Sequence, residues 1–380
     1  MDLGLSEQQE ILKRTAREFL EAECPTSLVR ELEYSEQGYS PELWKKMAHL
    51  GWLGQAFPPE YGGEGASLID QVVLFEEMGR ALLPGPLLPS AVLSGQALVR
   101  AGSENQKAGL LTGTARGETI VTAPLPEPGT GPGEGGLGLA AADGGYLLNG
   151  ALLFVPYAHV ANYVLCAASS NGDGRATEDS RAPGVTLLLV DTGSPGVTVN
   201  LMESVAGYKQ HEVLFQDVRV PGDRVLGQAG RGESPLASAR EWATVVQCAE
   251  MVGRAQKILE MVVEYSKNRV QFGRPIGAFQ AVQHRCADLK LAVDGAQLVT
   301  HQAASKVAQG FPCPEDIAMA KAAAGALSRL AVTAGHTIFA GIAFTLDHDM
   351  QLYTQRSKLA EANLGDTDFH LDRLGDQMGL

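Results

Sequence analysis

Between Asn268 and Gln280 the chain reads Asn-Arg-Val-Gln-Phe-Gly-Arg-Pro-Ile-Gly-Ala-Phe-Gln, and three of these side chains could hold a phosphorylated ligand: Arg269, Phe272 and Gln280. A diphosphate needs charge neutralisation and fixed donors. An arginine fork and a glutamine amide supply both, and an aromatic ring can cover a base. The same residues admit a plainer account, in which Arg269 is a solvated charge at a helix C-terminus, where cations are favoured anyway, and Phe272 is core. Taken alone, the segment leaves the two accounts even.

Other constellations carry less. Gly131-Pro132-Gly133-Glu134-Gly135-Gly136 matches GxGxxG after a strand-like run, but the dinucleotide fingerprint needs a helix beginning at that turn, and Asp143-Gly144-Gly145 arrives too soon for one. Asp347, His348 and Asp349, followed by Asp366, Asp368 and His370, include metal-ligand types. Adjacent residues on a helix diverge, so a solvated face is expected and no metal site. The sequence has no GxSxG, P-loop or HExxH motif. Its five cysteines, at 24, 166, 248, 286 and 313, lack CxxC spacing and are expected to be buried thiols of a reducing compartment.

The elements that must position the 268–280 segment can be read from periodicity and punctuation. From Ser6 to Cys24 apolar residues recur at helical spacing, with a capping box at Ser6 and Gln9 and a stop at Pro25. Ser40-Pro41 opens a second helix that ends by Gly51, and Leu68–Leu83 forms a third before Pro84. After Gly117 the texture changes to short β-branched or aromatic runs separated by turn residues. Asn149-Gly150 is the strongest local hairpin signal there. The loops 126–145 and 169–184 are expected to face solvent. From Ser234 onward four helices are expected, over 234–267, 279–309, 314–339 and 345–363, arranged as an antiparallel bundle. The fold class is therefore α+β: a helical domain at 1–115, a β domain at 116–228 and a C-terminal helical bundle at 229–380.

Composition narrows the function classes. With 380 residues, 45% hydrophobic and 19% charged, the chain can bury large cores. Its formal charge of −14 opposes nucleic-acid binding. The N-terminus carries acidic residues where a secretion signal would be basic, and the apolar stretches 150–168 and 330–344 are interrupted by polar residues. No membrane or nucleic-acid partner is expected, and the expected location is cytoplasmic.

The 268–280 segment closely resembles the flavin-binding signature of the acyl-CoA dehydrogenase family. Pro58-Pro59-Glu60-Tyr61-Gly62-Gly63, Glu127-Pro128-Gly129 and Phe215-Gln-Asp-Val-Arg-Val-Pro221 are similar to family motifs in the same order, so the resemblance spans nearly the whole chain. It implies the three-part fold above, FAD as cofactor, an acyl-CoA substrate, electron-transfer flavoprotein as electron acceptor, and a dimer or tetramer. It further implies that Arg269, Phe272 and Gln280 reach the FAD of a neighbouring subunit. Gly341 would sit in the family's Gln-x-x-Gly-Gly-x-Gly loop, here Thr337-Ile-Phe-Ala340-Gly341-Ile-Ala343. Glu241 would lie at an acidic position that touches the CoA moiety.

The departures from the family pattern matter as much. The carboxylate that removes the α-proton stands at one of two sites in relatives, and those sites read Leu364 and Ala243 here, so the catalytic base is unknown. Two hydroxyl positions that hold the flavin ring are Pro126 and Pro156, which also lack a backbone N–H. The resemblance thus points to a divergent subunit of a heteromeric enzyme, one that supports a partner's flavin. Alternatives are a homomeric dehydrogenase using an atypical acid such as Glu250, a flavin-dependent eliminating enzyme, or a flavin-free structural homologue.

Overall fold

Helix starts follow the capping chemistry of the sequence. In the computed structural model, which describes residues 4–125, 137–169 and 184–379, α1 (Glu7–Glu23) opens with both halves of the Ser6/Gln9 capping box. Next come α2 (Thr26–Tyr34) and α3 (Pro41–His49), where the Ser40 hydroxyl accepts from Leu43 N at 3.1 Å and Pro41 takes the first helical position. A second box, Ser67/Asp70, begins α4 (Leu68–Arg80). Short helices α5 (Gly95–Ala101), α6 (Glu104–Gln106) and α7 (Thr112–Ala115) lead to the strands.

The strands are β1 (Val121–Thr122), β2 (Gly138–Ala142), β3 (Gly145–Pro156), β4 (Tyr163–Ser169), β5 (Val185–Asp191), β6 (Val197–Met202), β7 (Gln210–Pro221) and β8 (Val225–Leu226). They form one sheet in the order β6-β7-β3-β2-β4-β5-β8, with β1 parallel to β4. Leu148, Val155, Val164, Leu188, Val213 and Phe215 form its buried core.

Asn149-Gly150 does not make the hairpin that its dipeptide predicts. It lies inside β3, where Asn149 opposes both Gln216 and Asp217 of β7 in a bulge. The Asn149 amide pairs with Asp217 through its oxygen, which accepts from Asp217 N at 2.8 Å, and its nitrogen, which donates to Asp217 Oδ1 at 3.1 Å. A side chain able to mimic backbone is as useful at a bulge as at a turn. The actual two-residue turn is Asp143-Gly144, between the paired residues Ala142 and Gly145.

The remaining elements are α8 (Glu233–Asn268), β9 (Val270–Gln271), β10 (Arg274–Pro275), α9 (Gln280–Ala308), α10 (Pro314–Phe339), α11 (Met350–Ala362) and α12 (Thr367–Met378). Sequence periodicity missed α12, whose start depends on one cap, the Asp366 carboxylate accepting from Phe369 N at 2.9 Å.

By packing, the chain divides into two compact units, one of residues 1–31, 67–83 and 244–380, the other of 32–66 and 84–243. The first is helical and the second carries the sheet. In the helical unit α1 packs on α4, α9 packs on α4 and α10, and α12 packs on α10. Helices α4 and α8 cross with their backbones in contact. A Cβ on Gly79 would meet Glu250 O at 2.1 Å, and one on Gly253 would meet Glu76 O at 1.9 Å, so only glycine fits at either point. The span 314–344 is long and apolar enough to cross a bilayer by composition alone, yet α10 is buried along much of its length, at Ala320, Lys321, Ala324 and Ala331 among others.

Candidate functional site

Where α8 ends, the chain folds into a small hairpin. β9 and β10 pair Gln271 with Arg274 and Val270 with Pro275, leaving Phe272-Gly273 as a two-residue turn with φ of +55° and +79°. Left-handed backbone at both positions is the mark of a type I′ turn, natural for Gly273 and unusual for Phe272. Ile276 N closes the base by donating to Arg269 O at 2.8 Å. The Arg274 guanidinium lies 4.3 Å from the Phe279 ring centroid, and Phe272 meets Phe279 edge-on at 6.0 Å.

This hairpin places the sequence-predicted residues together. Phe272 is 91% exposed, so it is not core, and Arg269 and Gln280 are also exposed. Gln280 is the first residue of α9, whose N-terminus has no side-chain cap. Among the described residues neither the Arg269 guanidinium nor the Gln280 amide has a hydrogen-bond or ion-pair partner. Two donors, an exposed ring and an uncapped helix start form a surface suited to an anion with a planar appendage.

Gly341 belongs to a 3-10 segment, Ala340–Phe344, that follows α10. It is exposed, and a Cβ there would meet nothing within 4 Å. Ala340 beside it adopts φ +56° and ψ −138°, a conformation that belongs to glycine.

The two positions where a base was sought are closed. Ala243 is fully buried, and Leu364 is 5% exposed with φ +59°. The loop around Leu364 is held from two sides. Lys321 Nζ donates to Glu361 O at 2.9 Å and to Gly365 O, and His370 Nε2 donates to Leu364 O at 2.8 Å. Burial pushes the Lys321 ammonium down to about 8 and the His370 imidazole down to about 4. Glu250, the atypical acid considered from sequence, is half-buried and engaged by the buried Arg254 and by Gln247 Nε2 at 2.7 Å, so it pairs inside the helical unit.

In the sheet-bearing unit Phe154 and Tyr157 both take positive φ, +55° and +53°. The Pro156 carbonyl between them accepts from the buried Thr122 hydroxyl at 2.5 Å. Tyr157 is buried, donates to Gly38 O at 3.3 Å and packs edge-on against Tyr39 and Tyr208. Glu241 is half-buried next to Trp242, whose ring carries the Arg100 guanidinium at 5.4 Å. Burial lowers the pKa of Arg100, and the Glu241 carboxylate opposes that shift. Pro126 to Gly129 and the GxGxxG sequence at 131–136 lie outside the described residues.

Comparison with known proteins decides the family. Residues 6–118 match the acyl-CoA dehydrogenase N-terminal domain, and residues 236–379 match the acyl-CoA dehydrogenase C-terminal domain. The chain belongs to the acyl-CoA dehydrogenase family. It is 31% identical to acyl-CoA dehydrogenase FadE27 of Mycobacterium tuberculosis over 100% of this chain and 99% of that one. Among solved structures it resembles a chain of the ChsE4-ChsE5 complex from Mycobacterium tuberculosis, with a TM-score of 0.90 and 30% identity over 100% and 99% of the two chains. It also resembles PigA with FAD and proline, with a TM-score of 0.90 and 25% identity over 100% of each chain.

As an acyl-CoA dehydrogenase family member the chain is an oxidoreductase homologue, and Ala243 and Leu364, the two positions at which the sequence resemblance would place a base, are apolar and buried. Sequence reading missed two features of this site. The left-handed Phe272 carries no compositional flag, since phenylalanine is rare in such turns. The alliance of Gln247, Glu250 and Arg254 was legible as a 3-and-4 spacing on α8, but which atoms pair depends on rotamers.

Proposed function

We propose that this chain is the flavin-supporting subunit of a heteromeric acyl-CoA dehydrogenase. Its Arg269, Phe272 and Gln280 would hold the nucleotide tail of the FAD whose reactive ring lies in a partner subunit. The observation that carries the reading is the contrast between those exposed groups, of which Arg269 and Gln280 have no side-chain partner among the described residues, and the apolar, buried positions Ala243 and Leu364. FAD, when bound, supplies the hydride acceptor for α,β-dehydrogenation of an acyl-CoA thioester.

The residues present fit one half of that cofactor better than the other. Arg269 offers a planar fork to the diphosphate, Gln280 an amide beside a helix N-terminus, and Phe272 a ring for the adenine. At the ring-holding position, Pro156 has no N–H, and its carbonyl already accepts from Thr122. The resemblance to a chain of the ChsE4-ChsE5 complex supports a partner of the same family, and the resemblance to PigA with FAD supports the cofactor. Glu241, with Trp242 and Arg100 beside it, is the candidate contact for the CoA moiety, Gly341 contributes to the loop of the cofactor site, and electron-transfer flavoprotein is the expected acceptor.

The test is FAD retention in the assembly formed by co-expression with a second family member. Arg269→Ala should lower FAD occupancy about tenfold or more, since it removes a charge-assisted fork. Gln280→Ala should act in the same direction, more weakly. Thermal stability should stay unchanged because both side chains are exposed. Full FAD occupancy in the Arg269 variant would remove the segment from the cofactor site.

A further inference from the structure

One face of α8 carries Ala243, Gln247, Glu250 and Arg254 in steps of four, three and four residues. The last three form a polar series in the helical unit, and none is freely solvated. Gln247 is 1% exposed and Arg254 is 2% exposed. Gln247 Nε2 donates to Glu250 Oε2 at 2.7 Å, Arg254 takes the other carboxylate oxygen, and Arg254 Nη1 donates to Arg356 O at 3.0 Å. These bonds fix the orientation of the Gln247 amide, because a flipped amide would set its oxygen against the carboxylate. The consequence is that Gln247 Oε1, buried, faces no donor among the described residues.

A buried acceptor held away from every donor is unfavourable unless something that binds supplies one. The sequence resemblance places Ala243 at one of the two positions where relatives carry the base, beside the acyl α-carbon. Gln247 lies one helical turn further along the same face, about 6 Å, roughly the advance of five C–C bonds. We infer that Gln247 is a specificity residue of an acyl-binding slot along α8: its Oε1 accepts a hydrogen bond from a hydroxyl on the acyl group, so this chain prefers hydroxylated acyl-CoA thioesters to plain hydrocarbon ones. The inference rests on the reading of the chain as an acyl-CoA-binding family member. A site built to bond a hydroxyl discriminates strongly against the analogue lacking it, because the polar group is then left unpaired.

Equilibrium dialysis of the full chain against matched pairs of thioesters tests this. The pairs are ω-hydroxyacyl-CoA and n-acyl-CoA of equal length, with acyl chains from four to eight carbons. At one length or more the hydroxylated member should bind about tenfold tighter, equivalent to about 1.4 kcal/mol. Gln247→Leu should abolish or reverse that preference while still binding the n-acyl member. Gln247→Met, of similar length and flexibility, serves the same purpose if the leucine variant does not fold. Equal affinity within every pair would mean that a trapped water satisfies the amide, which overturns the inference and leaves acyl-CoA binding intact. Binding of neither member at any length would overturn the acyl-CoA reading and the inference with it.

Discussion

Two loops of the helical unit each hold a bulky residue in left-handed backbone, Phe272 at φ +55° and Leu364 at φ +59°. They differ in everything else. Around Phe272 the polar groups of Arg269 and Gln280 are exposed and have no partner among the described residues, and the ring is exposed to solvent. Around Leu364 the backbone carbonyls are already bonded to Lys321 and His370, and the side chain is buried. Strain beside unbonded exposed donors is what a ligand-facing loop requires; strain beside bonded carbonyls and a buried side chain is what a structural loop requires. Left-handed backbone at a buried leucine persists because the helix end and the neighbouring cap require it.

The largest effect should come from forcing the chemistry back. Ala243→Glu would place a carboxylate at a fully buried position and should cost about 3 kcal/mol of stability, read by urea or thermal unfolding. It should not give the isolated chain acyl-CoA-dependent dye reduction. Activity in that variant would break the contrast between the two loops.

The Leu364 loop should also be sensitive to acid, and the hairpin should not. Burial lowers the folded pKa of His370 to about 4, below its unfolded value near 6.5. Its neutral form is therefore favoured by folding. The contribution, about 2 kcal/mol, is present above pH 6.5 and fades as pH falls toward 4. Thermal melts between pH 7 and 4.5 should show this loss, and His370→Asn should flatten it. An identical acid limb in both proteins would mean that His370 does not hold the loop.

Glycine substitution sharpens the same comparison. Leu364→Gly removes strain but empties a buried site, for a net loss of about 2 kcal/mol. Phe272→Gly only relieves strain, so stability should hold or rise by about 0.5 kcal/mol while FAD occupancy of the assembly falls. Opposite signs for stability and occupancy at Phe272 are the outcome that separates a ligand-facing residue from a structural one. The smallest effect is Ala340→Gly, expected to stabilise by about 1 kcal/mol because φ +56° with ψ −138° suits only glycine. A neutral or destabilising result in thermal unfolding would argue against strain there.

Much of this architecture was legible because it rests on local chemistry. Ser6 with Gln9 and Ser40 with Pro41 announce helix starts, and the family motifs identify the order of parts. What escaped depends on partners distant in sequence. Asn149-Gly150 looks like a turn until Asp217 is placed opposite it. The short α12 has few apolar residues and depends on the Asp366 cap and on packing against α10. The site was legible in type but not in state: the sequence contains Arg269, Phe272 and Gln280, yet only burial shows that the phenylalanine is exposed and the leucine closed.

The division of labour between this chain and a partner is tested most directly by counting flavin. Visible spectra of the purified chain, alone and after co-expression with a second acyl-CoA dehydrogenase family member, give FAD per polypeptide. The account predicts a colourless isolated chain and, in the assembly, one FAD for each pair of unlike chains. A full equivalent of FAD in the isolated chain, together with acyl-CoA-dependent bleaching, would contradict it.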